Sequence, residues 1–242
     1  MSVALVVSVL LVAALVRSVF GFGDALVAMP ILTIALGIKT AAPLVGLMSL
    51  TLATVMLVIS RRSVDLKATK QLFPWIALGI PIGIFVLINA PQEPVNLALG
   101  LALIAYGSYA LTGPRLPLLH SPFWVVPVGL LSGALGGAFN TNGPPVVVYG
   151  SLERWSPEVF RATLQANFLV AAVFIAAGHG LSGLWTERVL GFYAASLPAL
   201  LAGVWVGRAL GRRIPAERFT SYLMALIVAL GVMLIAGGLG AW

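Results

Sequence analysis

The sequence predicts an all-α integral membrane protein: two inverted repeats of helices, each beginning with a broken or re-entrant helix. Three observations carry this reading. Of the 242 residues, 60% are hydrophobic and 9% are charged, against about 25% charged in a soluble domain. The mean hydropathy is +1.07, more apolar surface than a water-soluble core of this size could bury, so the bilayer must be the solvent for most of it. Glycine- and proline-rich interruptions of the apolar runs recur in the two halves with the same element order.

The elements follow in order. The first apolar run spans about 2–20. It lacks a basic leading region and a small-residue cleavage site, so it reads as a retained helix and not a signal peptide. A break at Gly21-Phe22-Gly23-Asp24 precedes a short helix over about 25–37, and further helices cover about 40–60, 72–89 and 95–112. After a proline-rich connection the pattern starts again at about 123–137. A break at Asn140-Thr141-Asn142-Gly143-Pro144-Pro145 and a short helix to about 152 follow, then helices at about 158–178, 186–207 and 218–239. Each full span has the roughly 20 residues that a crossing needs.

The halves keep register. Gly23 with Gly137, Pro30 with Pro144 and Pro43 with Pro157 are each 114 residues apart; Gly79 with Gly203, Gly83 with Gly207, Pro91 with Pro215 and Glu93 with Glu217 are each 124 apart. Proline, with 15 residues, is less frequent than glycine, with 26, and glutamate is scarce, so chance in a glycine-rich chain accounts poorly for the match. The division is 1–112 for the first repeat, 113–122 for the connecting loop and 123–242 for the second repeat.

Positive charge sets the relative orientation of the halves. With eight simple spans the basic residues divide six against seven, no bias at all. If each broken element is a re-entrant hairpin or two crossings, the division becomes eleven against two. Arg61, Arg62, Lys67, Lys70, Arg115, Arg154, Arg161, Arg208, Arg212, Arg213 and Arg218 then face one side, and Lys39 and Arg188 the other. The second division obeys the positive-inside rule. An odd number of crossings per half inverts one half relative to the other, a common transporter construction.

The two breaks also carry a resemblance. Gly21-Phe22-Gly23 with Pro30 downstream resembles the opening of the first repeat of the sulfite exporter TauE/SafE family. Gly133-Ala134-Leu135-Gly136-Gly137 followed by Gly143-Pro144-Pro145 resembles the opening of its second repeat. The likeness extends over nearly the whole chain, and the sequence departs from the pattern at Asp24. It implies a multi-pass transporter of the bacterial inner membrane that moves small sulfur-containing anions such as sulfite or organosulfonates, with export the namesake activity.

Breaks inside apolar segments are tolerated only where they are buried in protein or line a wet cavity, so matched breaks point to a transport site. Asn140, Thr141 and Asn142 offer amide and hydroxyl donors. Gly143 opens a half-helix whose N-terminal N–H groups suit an oxyanion. Gly21 and Gly23 open the first half-helix in the same way, with Asp24 near its cap. The alternative at each break is a turn that merely stops a helix. Asp24 is the candidate carrier of a coupled proton or else a cap. Arg17 could neutralise a sulfonate, pair with Asp24, or reach the interface. Gln165 and Asn167, in the span after Pro157, either line the cavity or bond a neighbouring helix. The expectation is that the anion sits between the two breaks near mid-membrane.

The glycine pairs 79/83 and 203/207 have the spacing of close helix packing. Trp75, Trp155, Trp185 and Trp242 read as interface anchors. His120 and His179 read as lying in polar connections. With no cysteine in the chain, no metal site and no cofactor are expected. The net charge of +7 reads as topology signalling and not as nucleic-acid binding. The expected partners are the lipid bilayer and a small anionic substrate (sulfite, a sulfonate or a related oxyanion), with room left for a homo-oligomer. The absence of a P-loop leaves a substrate gradient or a coupled ion as the energy source. The competing readings are an anion channel, a non-transporting assembly subunit and an intramembrane enzyme. The last lacks a convergent set of nucleophile, base and metal ligands.

Overall fold

A computed structural model describes residues 2–59, 66–113, 122–155, 157–211 and 216–238. Its helices are α1 (Val3–Phe20), α2 (Asp24–Leu36), α3 (Ile38–Ile59), α4 (Leu66–Asn89), α5 (Gln92–Thr112), α6 (Val125–Phe139), α7 (Gly143–Leu152), α8 (Pro157–Leu181), α9 (Glu187–Gly211) and α10 (Ala216–Gly238). One 3-10 turn, Pro122–Trp124, leads into α6. Six of the described helices are long and apolar enough to cross a bilayer: α1, α3, α4, α5, α8 and α9. The elements expected from the sequence are present in the expected order. Segments 60–65, 114–121, 156, 212–215 and 239–242, which hold Arg61, Arg62, Arg115, Arg212, Arg213, His120 and Trp242, lie outside the described residues, as do the side chains of Lys67, Arg161 and Arg218.

Helix ends follow local chemistry. Gly21 closes α1 in the left-handed region at φ 83°, with its N–H on the Arg17 carbonyl at 2.6 Å, a conformation that costs glycine nothing. Gly23 opens α2 at φ 98°. Asn140, at φ 56°, ends α6 in the same region, where its N–H bonds the Gly136 carbonyl at 2.8 Å; asparagine is among the few other residues that tolerate it. The short helices are too short to cross alone. With 13 residues in α2 and 10 in α7, they are about 20 and 15 Å long at 1.5 Å per residue, against a core of about 30 Å.

The chain forms two compact units. One comprises Met1–Val45, Asn89–Pro114 and Trp185–Trp242, the other Gly46–Ile88 and Arg115–Leu184. Each draws helices from both halves of the sequence. In the first unit α1 packs on α9 and α5 on α10. Gly203 meets Leu11 and Ala14, Gly207 meets Leu15 and Ser18, and Gly211 meets Val19. The contacts climb both helices together, so α1 and α9 run parallel. Gly100 meets Gly231 and Ile235, whereas Gly107 meets Met224 and Val228, so α5 and α10 run antiparallel.

In the second unit α4 and α6 form the counterpart of α1 and α9. Gly129 meets Leu72 and Ile76, Gly133 meets Ile76 and Gly79, and Gly137 meets Ile80 and Ile84, again in parallel. Gly79 and Gly83 face the Leu130 and Ala134 carbonyls. Between apolar helices in lipid there is no hydrophobic gain from association, so close backbone approach through small residues supplies the attraction. That is the role expected for the 79/83 and 203/207 pairs. Large apolar side chains remain exposed in mid-helix, among them Phe85 at 66% on α4 and Trp205 at 67% on α9, as surfaces solvated by acyl chains require.

Candidate functional site

The first break lies in the first unit. Between the left-handed glycines 21 and 23 the chain turns from α1 into α2, and Gly23 leaves room for Val16 and Leu223. Arg17 in the last turn of α1 and Asp24 at the first position of α2 are 3% and 4% exposed. The Arg17 Nη1 donates to the Asp24 Oδ2 at 2.9 Å. Of the roles the sequence left open for Arg17, the geometry is that of the ion pair. Asp24 also sits where the α2 dipole favours negative charge, so that helix end already has its counter-charge.

The second break lies in the second unit. Asn140, Thr141 and Asn142 are 7%, 4% and 7% exposed, a run of polar residues enclosed by an apolar helix pair. Ser132 of α6 donates from Oγ to the Asn142 carbonyl at 2.5 Å, and the Thr141 hydroxyl leans on the Leu135 carbonyl at 3.4 Å. A methyl on Gly136 would come within 3.0 Å of the Asn142 Cβ and 3.1 Å of Ile175, and one on Gly143 within 3.1 Å of the Phe168 ring. The break is therefore held against the stretch of α8 from Phe168 to His179, which belongs to the apolar span Thr163–Leu181.

The donor inventory differs from the sequence expectation in one respect. Pro144 and Pro145 occupy the first turn of α7. Proline fits there because its missing N–H would have been unpartnered anyway, but the same fact removes two of the N–H groups that a helix end presents. Backbone donation falls to Asn142 and Gly143, and the side-chain amides of Asn140 and Asn142 carry the rest.

Gln165 and Asn167 share α8 with that wall. Asn167 is 1% exposed and its Nδ2 donates to the Thr163 carbonyl of its own helix at 3.0 Å. Gln165 is partly buried. The backbone and glycines of the break meet α8 at Phe168, Ile175 and His179.

His179 does not lie in a polar connection; it is within α8 and 0% exposed. Its Nε2 is 2.9 Å from the Gly137 carbonyl, one of the carbonyls that the end of α6 leaves without a helical partner. The signal was available: an ionisable residue inside an apolar run defaults to a functional hypothesis in membranes, and Phe174 to Leu181 is such a run. Gly46, whose bare face lies beside Asn140 and His179, carried no comparable signal, because only the packing makes it special.

Six apolar candidate spans, with short helices joined to their neighbours by buried turns, are the architecture of a multi-pass membrane protein. Residues 6–234 match the model of the family described as Sulfite exporter TauE/SafE. The chain belongs to that family, a family of membrane transporters of sulfur-containing anions. Neither curated proteins nor solved structures gave a match to this chain.

Proposed function

We propose that this protein is a secondary transporter that exports small sulfur-containing anions, such as sulfite or organosulfonates, across the bacterial inner membrane, and that the second break binds the anion. The observation that carries the reading is the buried run Asn140-Thr141-Asn142 beside an apolar span. Neutral donors and a helix dipole stabilise an anion without burying a full positive charge, which would cost far more, and they release it more readily than a cluster of arginines. Flux of sulfite, thiosulfate and small sulfonates into proteoliposomes, with and without a pH gradient, tests the activity. Saturable flux supports a carrier, large unitary currents would make it a channel, and no flux of any of them would make it an assembly subunit.

Removing one donor to a charged ligand costs about 1.5–3 kcal/mol, or roughly 10- to 150-fold in affinity. Asn142→Ala is therefore expected to weaken binding by that factor in calorimetry on folded protein, and Gln165→Ala by less. At position 140 the left-handed backbone makes Asn140→Gly the cleaner variant, since alanine would add backbone strain. Wild-type affinity in both Asn142→Ala and Asn140→Gly would leave the break a structural turn.

The proposal includes inverted repeats divided at 1–112 and 123–242. Support comes from the antiparallel packing of α5 on α10. These helices are repeat mates, and a two-fold axis in the membrane plane makes such mates antiparallel where they meet. The charge division adds that the stretches 61–70 and 208–218 are cytoplasmic and both termini external. Single cysteines at Asp65 and Arg212 in this cysteine-free chain should both be labelled from the cytoplasmic side; labelling from opposite sides would overturn the inversion.

A further inference from the structure

His179 is a buried imidazole that the helix packing alone does not account for. A carbonyl oxygen only accepts, so the contact with Gly137 requires the proton to be on Nε2. Among the described residues Nδ1 then has no hydrogen-bond partner, in a side chain that is 0% exposed. That nitrogen points at the one place on α3 where a side chain is missing. A Cβ on Gly46 would lie 3.1 Å from the His179 Nδ1 and 3.1 Å from the Asn140 Oδ1. Glycine at 46 thus keeps two polar groups from different elements side by side at the second break.

We propose that His179 carries the proton that travels with the anion: its Nδ1 takes up a proton from the medium as the substrate enters the second break and donates to it there. This rests on the reading of that break as the anion site. Neutral, the ring offers only a lone pair at Nδ1, which an anion cannot use; protonated, both ring nitrogens donate, one to Gly137 and one to substrate. Among the described residues no carboxylate pairs with His179 as counter-charge. On the elements packed against His179, α6 has no titratable residue, α3 has Lys39 seven residues before Gly46, α7 has Tyr149, and α4, whose Ile84 meets Gly178, has Lys67 and Lys70 near its opposite end. On α8 itself, Glu158 and Arg161 are far along the helix. The substrate is then what makes the imidazolium affordable in this setting, and the imidazolium is what makes a buried anion so. Asp24, the carboxylate that the sequence offers for a coupled proton, is instead engaged with Arg17.

The test is proton uptake on binding, read with a pH indicator in weakly buffered detergent solution. The probes are thiosulfate and methanesulfonate, which do not themselves titrate near neutral pH. Wild-type protein is expected to take up about one proton per bound anion on the alkaline side of the imidazole titration, with apparent affinity falling about tenfold per pH unit there. His179→Gln, whose amide can still donate to Gly137, should bind without uptake and without that slope, and His120→Gln should keep both. Gly46→Ala, which removes no polar group, should weaken binding by crowding the Nδ1. Binding by wild-type protein without proton uptake overturns the assignment and leaves the anion site standing, as does unchanged uptake in His179→Gln. Failure of the wild-type protein to bind either probe overturns both.

Discussion

Arg17→Ala and Asp24→Ala should each destabilise the protein by about 3–5 kcal/mol, because each leaves one buried charge without its partner. Both side chains are almost fully enclosed and are 2.9 Å apart, so water cannot replace the lost contact. The loss for Asp24→Ala includes the favourable position of its carboxylate at the start of α2, about 0.3–1 kcal/mol. The double variant Arg17→Met with Asp24→Leu should recover most of the stability, since it removes both charges and fills the space with apolar atoms. Helical signal against temperature in detergent measures all three. If either single variant melts with the wild type, the pair does not hold the break together. Flux by the double variant then separates two roles: a folded double variant with normal flux makes the pair a clasp, and a folded but inactive one places Arg17 on the substrate's path.

Gly83→Ala should lower stability by about 1–3 kcal/mol, against the usual sign for this substitution. Glycine inside a helix costs up to about 1 kcal/mol relative to alanine, so a methyl normally helps. At Gly83 it would run into the backbone carbonyl of Ala134, and at Gly79 into that of Leu130. A carbonyl cannot rotate aside as a side chain can, so α4 and α6 must part, and the contacts of the whole parallel pair weaken. Gly207→Ala should go the same way less strongly, because the nearest atom is the Ser18 Cβ at 2.7 Å. Gly191, on an exposed turn of α9 with nothing within 4 Å, is the control, and Gly191→Ala should stabilise by about 0.5–1 kcal/mol. Equal melting of Gly83→Ala and wild type would mean that α4 and α6 do not approach as closely as described.

The helices, their order and the two breaks were legible in the sequence because each is set by local chemistry. Runs of about 20 apolar residues must lie in lipid, and their lengths follow from its thickness. Gly21 and Gly23 stop and restart a helix through backbone conformations that other residues rarely adopt. Pro144 and Pro145 start one because they lack the N–H that a first turn does not use. Even the closeness of the glycine-faced helices could be expected from spacing. By itself, then, the sequence determined a multi-pass helical membrane protein with paired interruptions, and its motifs pointed to the family that the whole-chain match establishes.

Tertiary structure decided which elements meet. That α1 packs on α9 and α4 on α6, each across the boundary between sequence halves, is not written in hydropathy, since every span is apolar and lipid matches any of them equally. The choice falls to the fit of small residues against particular backbone atoms, which depends on three-dimensional surfaces. The same reason explains the site. Arg17 had three roles open until folding placed Asp24 at its guanidinium. His179 was assigned to a connection because the apolar run ends nearby, yet packing carries it to the Gly137 carbonyl and to the bare face of Gly46. A buried polar atom needs its hydrogen bond wherever the fold can supply one, and the partners it finds are neighbours in space, 42 residues away in the chain for His179 and Gly137.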